Sequence, residues 1–138
     1  MTKAEKSIPA ASLKSLAGTA PQFTLPVSFK RLDGEEVTIQ FQALALRKTE
    51  WAAKRDAFLA QSRPKTDDEP VQEFSWSGAV AEDLDKASAL ALEFVNGWDL
   101  ADDFNAANLA LMEDHFGGSL SALLHAYDAA VFRGRVGN

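Results

Sequence analysis

The chain has 138 residues, 46% of them hydrophobic, a net charge of −6 at pH 7 and no cysteine. This size and composition predict one folded domain rather than a disordered chain, and the lack of cysteine excludes disulfides, thiolate zinc ligands and a cysteine nucleophile. No apolar run approaches the roughly 18 residues of a membrane-spanning helix, and the N-terminus lacks the apolar core of a secretory signal. We therefore expect a soluble cytoplasmic protein that has no membrane partner.

Charge is unevenly distributed along the chain. Residues 1–64 contain ten Lys and Arg residues against six Asp and Glu, whereas residues 65–138 contain four against fourteen. An acidic half repels nucleic-acid phosphates and favours basic or apolar partners. The plainer alternative is a solvated acidic face that keeps the protein soluble. Either interpretation argues against nucleic-acid binding.

Composition divides the chain into a tail and one domain. Residues 1–20, rich in Ser, Ala and Lys, are predicted to be a flexible tail, and residues 21–138 to form a single α+β domain. The predicted fold is a small N-terminal antiparallel β-hairpin packed on a bundle of about four helices. In chain order we predict a hairpin over 22–43, a helix over 49–62, a mobile linker over 63–76 and a helical part over 77–138.

The hairpin is predicted from two runs in which apolar and polar residues alternate. A two-residue loop would set apolar against polar side chains on both faces. A three-residue loop ending at Gly34 instead pairs Phe29 with Val37 and gathers the apolar residues on one face. We therefore predict the longer loop with a left-handed Gly34. Pro26 has no N–H to donate, so its strand should lie at a sheet edge.

The helix over 49–62 should turn Trp51, Phe58 and Leu59 towards the core. Its cluster of basic residues could contact nucleic acid. Because the other half of the chain is strongly acidic, pairing with acidic neighbours within the protein is the favoured interpretation.

The linker is charged and bracketed by prolines, which predicts mobility. The apolar residues that close it, Val71, Phe74 and Trp76, either fold back onto the core or form an exposed contact for a partner. A helix capped by Ser77 should follow, and Gly97 should end it.

The most strongly patterned part of the chain is its C-terminal third. Asn105 is a good N-cap, and Phe104 and Leu109 are spaced as a hydrophobic staple. Leu109, Met112 and Phe116 then share one helical face.

A second helix should follow a break at Gly117-Gly118, with Ser119 as its candidate cap. Apolar residues recur in it at helical spacing and predict one buried stripe. The stripe comprises Leu120, Leu123, Leu124, Tyr127 and Val131.

Residues that could carry chemistry are present but do not form a recognisable site. His115 and His125 lie on different predicted helices, whereas a transition-metal site needs about three converging ligands. The acidic pair Asp102-Asp103 lacks the spacing of a calcium loop. Neither a phosphate-binding glycine loop nor a nucleophile elbow occurs. We therefore expect no enzyme, no catalytic or metal-binding residues and no cofactor.

The ordered series of motifs resembles the tail assembly chaperones of long-tailed bacteriophages and prophages, most clearly over residues 77–138. It comprises VNGWD at 95–99, FNAANL at 104–109, the glycine break, and a closing helix with Tyr127 before the terminal RGRVGN. Each motif is short, and their order and spacing carry the resemblance.

The resemblance implies a role for the protein. Such chaperones bind the long helical tape measure protein while the tail tube polymerises around it, keep it soluble, and leave before the tail is finished. In many phages a frameshift adds a longer product whose extra domain would recruit the tail tube protein. Self-association remains open. A structural minor tail or connector protein of the virion is the alternative.

A chaperone of a helical client needs apolar surface left over after its core is built. We expect that surface where the last two helices meet the Gly97-Trp98 turn, with Trp98 as the best anchor because large aromatics dominate interface energetics. The expected partner-binding residues are Trp98, Trp76, Phe104, Leu109, Met112 and Tyr127.

Overall fold

The computed structural model describes residues 22–61 and 74–134. They form a three-stranded antiparallel sheet with four helices, so the predicted α+β class is confirmed, although the predicted hairpin is part of a three-stranded sheet. The tail over residues 1–20 and most of the predicted linker lie outside the described residues. The elements are β1 Gln22–Lys30, β2 Glu36–Leu44, α1 Lys48–Gln61, α2 Trp76–Ala91, β3 Val95–Trp98, α3 Ala106–His115 and α4 Ser119–Asp128, followed by a π-helical turn, Ala129–Arg133.

The hairpin has the register that facial alternation predicts. Phe29 lies opposite Val37 in the β1–β2 ladder, and the apolar residues of both strands share the face that packs on the helices. Gly34 has a φ of +89°, and its N–H donates to the carbonyl of Arg31 at 2.9 Å. In the strand order β1-β2-β3, Pro26 lies on an edge strand, as its missing N–H requires.

The third strand corrects the predicted course of the chain after α2. That helix ends at Ala91 and not at Gly97, and Val95–Trp98 pairs with β2 so that Trp98 lies opposite Phe41. The N–H of Leu44 also donates to the carbonyl of Phe94 at 2.8 Å. The free edge of β2 satisfies backbone groups that a longer helix would have paired internally.

Helix α1 is fixed mainly through its first half. Trp51 is fully buried, and its indole N–H donates to a carboxylate oxygen of Asp128 at 2.7 Å. Arg55 pairs with the other oxygen of Asp128 at 3.2 Å. The prediction that Leu59 faces the core is wrong, because its side chain is 60% exposed. The partly buried Phe58 is the neighbour that packs against the core.

Helix α2 begins two residues earlier than predicted. Ser75, and not Ser77, is the N-cap, and its hydroxyl accepts from the N–H of Gly78 at 3.1 Å. Trp76 is therefore the first residue of a helix rather than the end of a linker. Val80 is 47% exposed, so the apolar face of the first turns of α2 lies outside the core.

The two C-terminal helices are capped in different ways. Asn105 caps α3 as predicted, accepting from the N–H of Asn108 at 2.8 Å. Ser119 does not cap α4. Gly118, with a φ of +95°, occupies the cap position, and Glu113 accepts from the N–H groups of Gly118 and Leu120 at 2.9 and 2.8 Å.

The core is centred on three aromatic rings, those of Trp51, Phe94 and Tyr127, whose centroids lie 4.5 to 4.9 Å apart. The Tyr127 hydroxyl donates to the carbonyl of Leu44 at 2.5 Å, which ties α4 to the end of β2. Among the described residues no helix is both long and apolar enough to span a bilayer.

Candidate interaction surface

An apolar groove opens between the far end of the hairpin, the loop after β3 and helix α3. Its volume is about 310 Å³. We call it the hairpin–α3 groove, and its lining residues come from all three elements. They are Phe29, Arg31, Val37, Ile39, Trp98, Leu100, Asp102, Asn108, Leu111, Met112, His115 and Phe116.

The groove exists because the hairpin is longer than the helical layer that covers it. Near the middle of the sheet, Val27 is buried on the helix-facing side, with 2% of its surface exposed. Towards the turn, Phe29 and Val37 are only partly buried, and the ring of Phe29 lies 6.0 Å from that of Phe116 at the end of α3. The apolar face of the sheet therefore continues past its cover.

Trp98 forms one wall and also holds the adjoining loop in place. Its indole N–H donates to the carbonyl of Asp102 at 2.8 Å, and its ring meets Phe104 edge to face with centroids 5.2 Å apart. The ring remains only partly buried. At the start of the loop, Asp99 exchanges two hydrogen bonds with Gln40, both 3.1 Å long, which extends the pairing beyond β3.

Two leucines leave apolar surface open at the groove. Leu111 of α3 is 51% exposed and Leu100 of the loop is 38% exposed. A side chain entering the groove could bury both without any change in the core. This exposed surface is what the arrangement offers to a partner, because apolar area removed from water stabilises a complex.

The cation that lines the groove, Arg31, already has a counter-ion within the chain. Arg31 pairs with Asp33 two residues along the hairpin turn. The hydrogen bond from Arg31, together with one from the N–H of Glu35, lowers the pKa of Asp33 to about 2. Because Arg31 already has its counter-ion, an apolar partner need not leave that cation unpaired.

The expected binding residues divide between surface and core. Trp98 and Met112 line the groove, and Phe104 supports Trp98 from behind. Leu109 and Tyr127 are both 0% exposed, so in this conformation they act through packing rather than contact with a partner.

Trp76 lies apart from the groove. Its side chain is 78% exposed, and its ring meets Phe74, itself 70% exposed, edge to face at 5.0 Å. Of the two arrangements open for this segment, the structure shows the exposed one. Val71 lies outside the described residues.

Sequence reasoning missed Leu100 and Leu111. The available signal was weak: Leu111 departs from the face shared by Leu109 and Met112, but single exposed leucines are common on soluble proteins. Its significance depends on the overhanging hairpin, which no local pattern reveals.

The two histidines lie at different places. His115 lines the hairpin–α3 groove, whereas His125 lines a separate depression with Asp128 and Arg133. Within residues 22–61 and 74–134, no group of three His, Cys, Asp or Glu side chains converges as a metal site would require.

Fold and groove together define a small α+β protein whose open apolar surface suits protein–protein contact. Across residues 10–138 the sequence matches the family described as phage tail assembly chaperone, and the chain belongs to that family. No curated protein and no solved structure matches it. Tail assembly chaperones are generally not enzymes.

Proposed function

We propose that this protein binds the phage tape measure protein and keeps it soluble while the tail tube assembles around it. It acts in the cytoplasm of the bacterial host, without catalysis, and is not retained in the finished virion. Family membership supports the class of function. The observation that carries the binding proposal is the hairpin–α3 groove, with Leu111 half exposed on its α3 wall.

The groove suits an apolar stripe on a helical client. A helix that binds with its apolar face in a groove contacts it through side chains that lie three or four residues apart in sequence. Here the partly buried Trp98 offers a large aromatic surface, and the buried Met112 forms part of the groove lining. Leu100 and Leu111 gain burial when the client binds.

The test is co-expression with the tape measure protein, scored by how much client stays soluble and co-purifies. Wild-type protein should hold the client in the soluble fraction. Leu111→Asp should reduce co-purification because it places a charge in the groove. Leu59→Asp is the matched control, since Leu59 is also exposed but lines none of the described pockets. If wild-type protein neither solubilises nor co-purifies with the client, the proposal fails.

Trp98→Ala needs a separate control because Trp98 also packs on Phe41 and holds the Asp102 carbonyl. As a binding anchor it should contribute about 2 kcal/mol to client affinity. Circular dichroism and the melting temperature of the variant show whether the domain stays folded. If the domain unfolds, Leu111→Asp remains the informative variant.

The alternative role, a structural minor tail or connector protein, gives the opposite result in purified virions. Mass spectrometry of particles should find no copies of this chain if it is a chaperone. A fixed number of copies per particle would favour the structural role.

A further inference from the structure

A second apolar surface runs along α2, apart from the hairpin–α3 groove. Trp76, Val80, Ala87 and Leu90 fall at positions i, i+4, i+11 and i+14, which share one helical face. Exposure along this face falls from 78% at Trp76 and 47% at Val80 to 7% at Leu90. The stripe therefore starts in solvent and ends in the core.

The buried end of this stripe opens into a groove between α2 and α4, with a volume of about 190 Å³. We call the exposed stripe and this opening together the α2–α4 groove. From Trp76 to Leu90 it extends along fourteen residues of α2, which corresponds to about 21 Å at 1.5 Å per residue. That length matches about four turns of a docked helix. The side chains lining the opening are mostly apolar, namely Phe58, Ala87, Leu90, Ala91, Phe94, Leu120 and Leu124.

The charges along this surface are acidic. Asp83 and Glu113 line the opening, and Asp83 makes no ion pair with the described residues. Helix α2 also carries Glu82 and Asp85, and its one cation, Lys86, is 3.7 Å from Glu82. A basic partner would pair with Asp83, whereas a second copy of α2 would bring like charges together.

We propose that the α2–α4 groove binds an amphipathic, basic α-helix of a partner protein. The apolar stripe of that helix packs against Trp76, Val80 and the opening beside Leu90, and a Lys or Arg side chain pairs with Asp83. The surface is separate from the hairpin–α3 groove, so the proposal does not rest on the identity of the client. The protein would then hold two helical segments at once.

The test uses two synthetic helical peptides of sixteen residues. Both carry leucine at i, i+3, i+4 and i+7 and in the same pattern beyond; the remaining positions are lysine in one peptide and glutamate in the other. Fluorescence anisotropy of the labelled peptides measures binding to the full chain. The lysine peptide should bind at least about tenfold more tightly than the glutamate peptide, and more weakly as salt is raised.

Variants locate the bound peptide. Val80→Asp and Trp76→Ala should each weaken binding of the lysine peptide by about tenfold, and Asp83→Asn by about threefold to fivefold. Leu59→Asp is the matched control, because Leu59 is exposed but lines neither groove, and it should leave peptide binding unchanged. Because Val80 and Trp76 are exposed, circular dichroism should show all these variants folded.

Three results would overturn the proposal. The lysine peptide fails to bind, or both peptides bind equally, or Val80→Asp binds as the wild type does. Light scattering adds a fourth: a dimer that Val80→Asp converts to monomer would show that a second copy covers this surface. A failure here leaves the tape measure assay unaffected, since that assay reports on Leu111.

Discussion

The cap at the start of α4 gives the sharpest test of how the C-terminal helices are held. Glu113, near the end of α3, reaches over the glycine break and accepts from the N–H groups of Gly118 and Leu120 at 2.9 and 2.8 Å. The hydroxyl of Ser119 donates to the same carboxylate at 3.3 Å. We predict that Glu113→Ala destabilises the domain by removing all three acceptor contacts.

The magnitude follows from the kind of bond that is lost. Hydrogen bonds to charged groups contribute about 1.5–3 kcal/mol each, and loss of a helix N-cap costs about 0.5–2 kcal/mol. Because the first turn of α4 is partly open to water, which replaces some of the lost bonds, we expect about 2 kcal/mol in total. For a domain of this size that corresponds to a fall in melting temperature of about 6 °C.

Asp114→Ala is the matched control. It removes the same charge one residue further along α3, from a side chain that is exposed and makes no hydrogen bond with the described residues. Urea unfolding followed by circular dichroism measures both variants. If Glu113→Ala lies within about 0.5 kcal/mol of Asp114→Ala, the capping role assigned to Glu113 is refuted.

Three further predictions concern the hairpin and the core. Gly34→Ala should cost about 1 kcal/mol or more in urea unfolding because Gly34 is left-handed and no steric clash contributes; unchanged stability would contradict the turn geometry. Tyr127→Phe should cost about 1 kcal/mol in the same assay, since the Leu44 carbonyl loses the Tyr127 hydroxyl and keeps only the N–H of Leu46 at 3.1 Å, and a neutral result would argue against the Tyr127 bond. The pKa of Asp33 is about 2, below its usual value, so ionised Asp33 stabilises the fold above about pH 4, and this stabilisation is lost as the pH falls towards 2. NMR titration should show the pKa of Asp33 rising in Arg31→Gln. An unchanged pKa would exclude the ion pair with Arg31 as the cause of the shift.

Sequence patterns predicted correctly the elements that depend on interactions between residues close together in the chain. The hairpin register followed from alternation alone, because slipping by one residue would have turned Phe29 and Val37 to opposite faces. The cap at Asn105 and the buried stripe containing Leu123 also depend only on neighbours in sequence. These features agree with the structure.

Features that depend on contacts between residues far apart in sequence could not be predicted from local patterns. Helical spacing continues as far as Phe94 in sequence, with Gly97 as the expected stop, and only the free edge of β2 explains why Val95–Trp98 forms a strand. Glu113 caps α4 from a different helix, so the local candidate Ser119 was misleading. The sequence shows directly that Trp98 is a large apolar residue. The position of Leu111 beside a groove follows from the hairpin extending past α3, which local sequence patterns do not show.

Site-specific crosslinking tests the central claim most directly. A photoreactive p-benzoylphenylalanine in place of Leu111, during co-expression with the tape measure protein, reports on what occupies the hairpin–α3 groove. The same photoreactive residue in place of Leu59 is the control, and adducts are identified by mass spectrometry. We predict tape measure adducts from position 111 and few or none from position 59. No adduct at position 111, or equal yields from both positions, would contradict the assignment of this groove to the client.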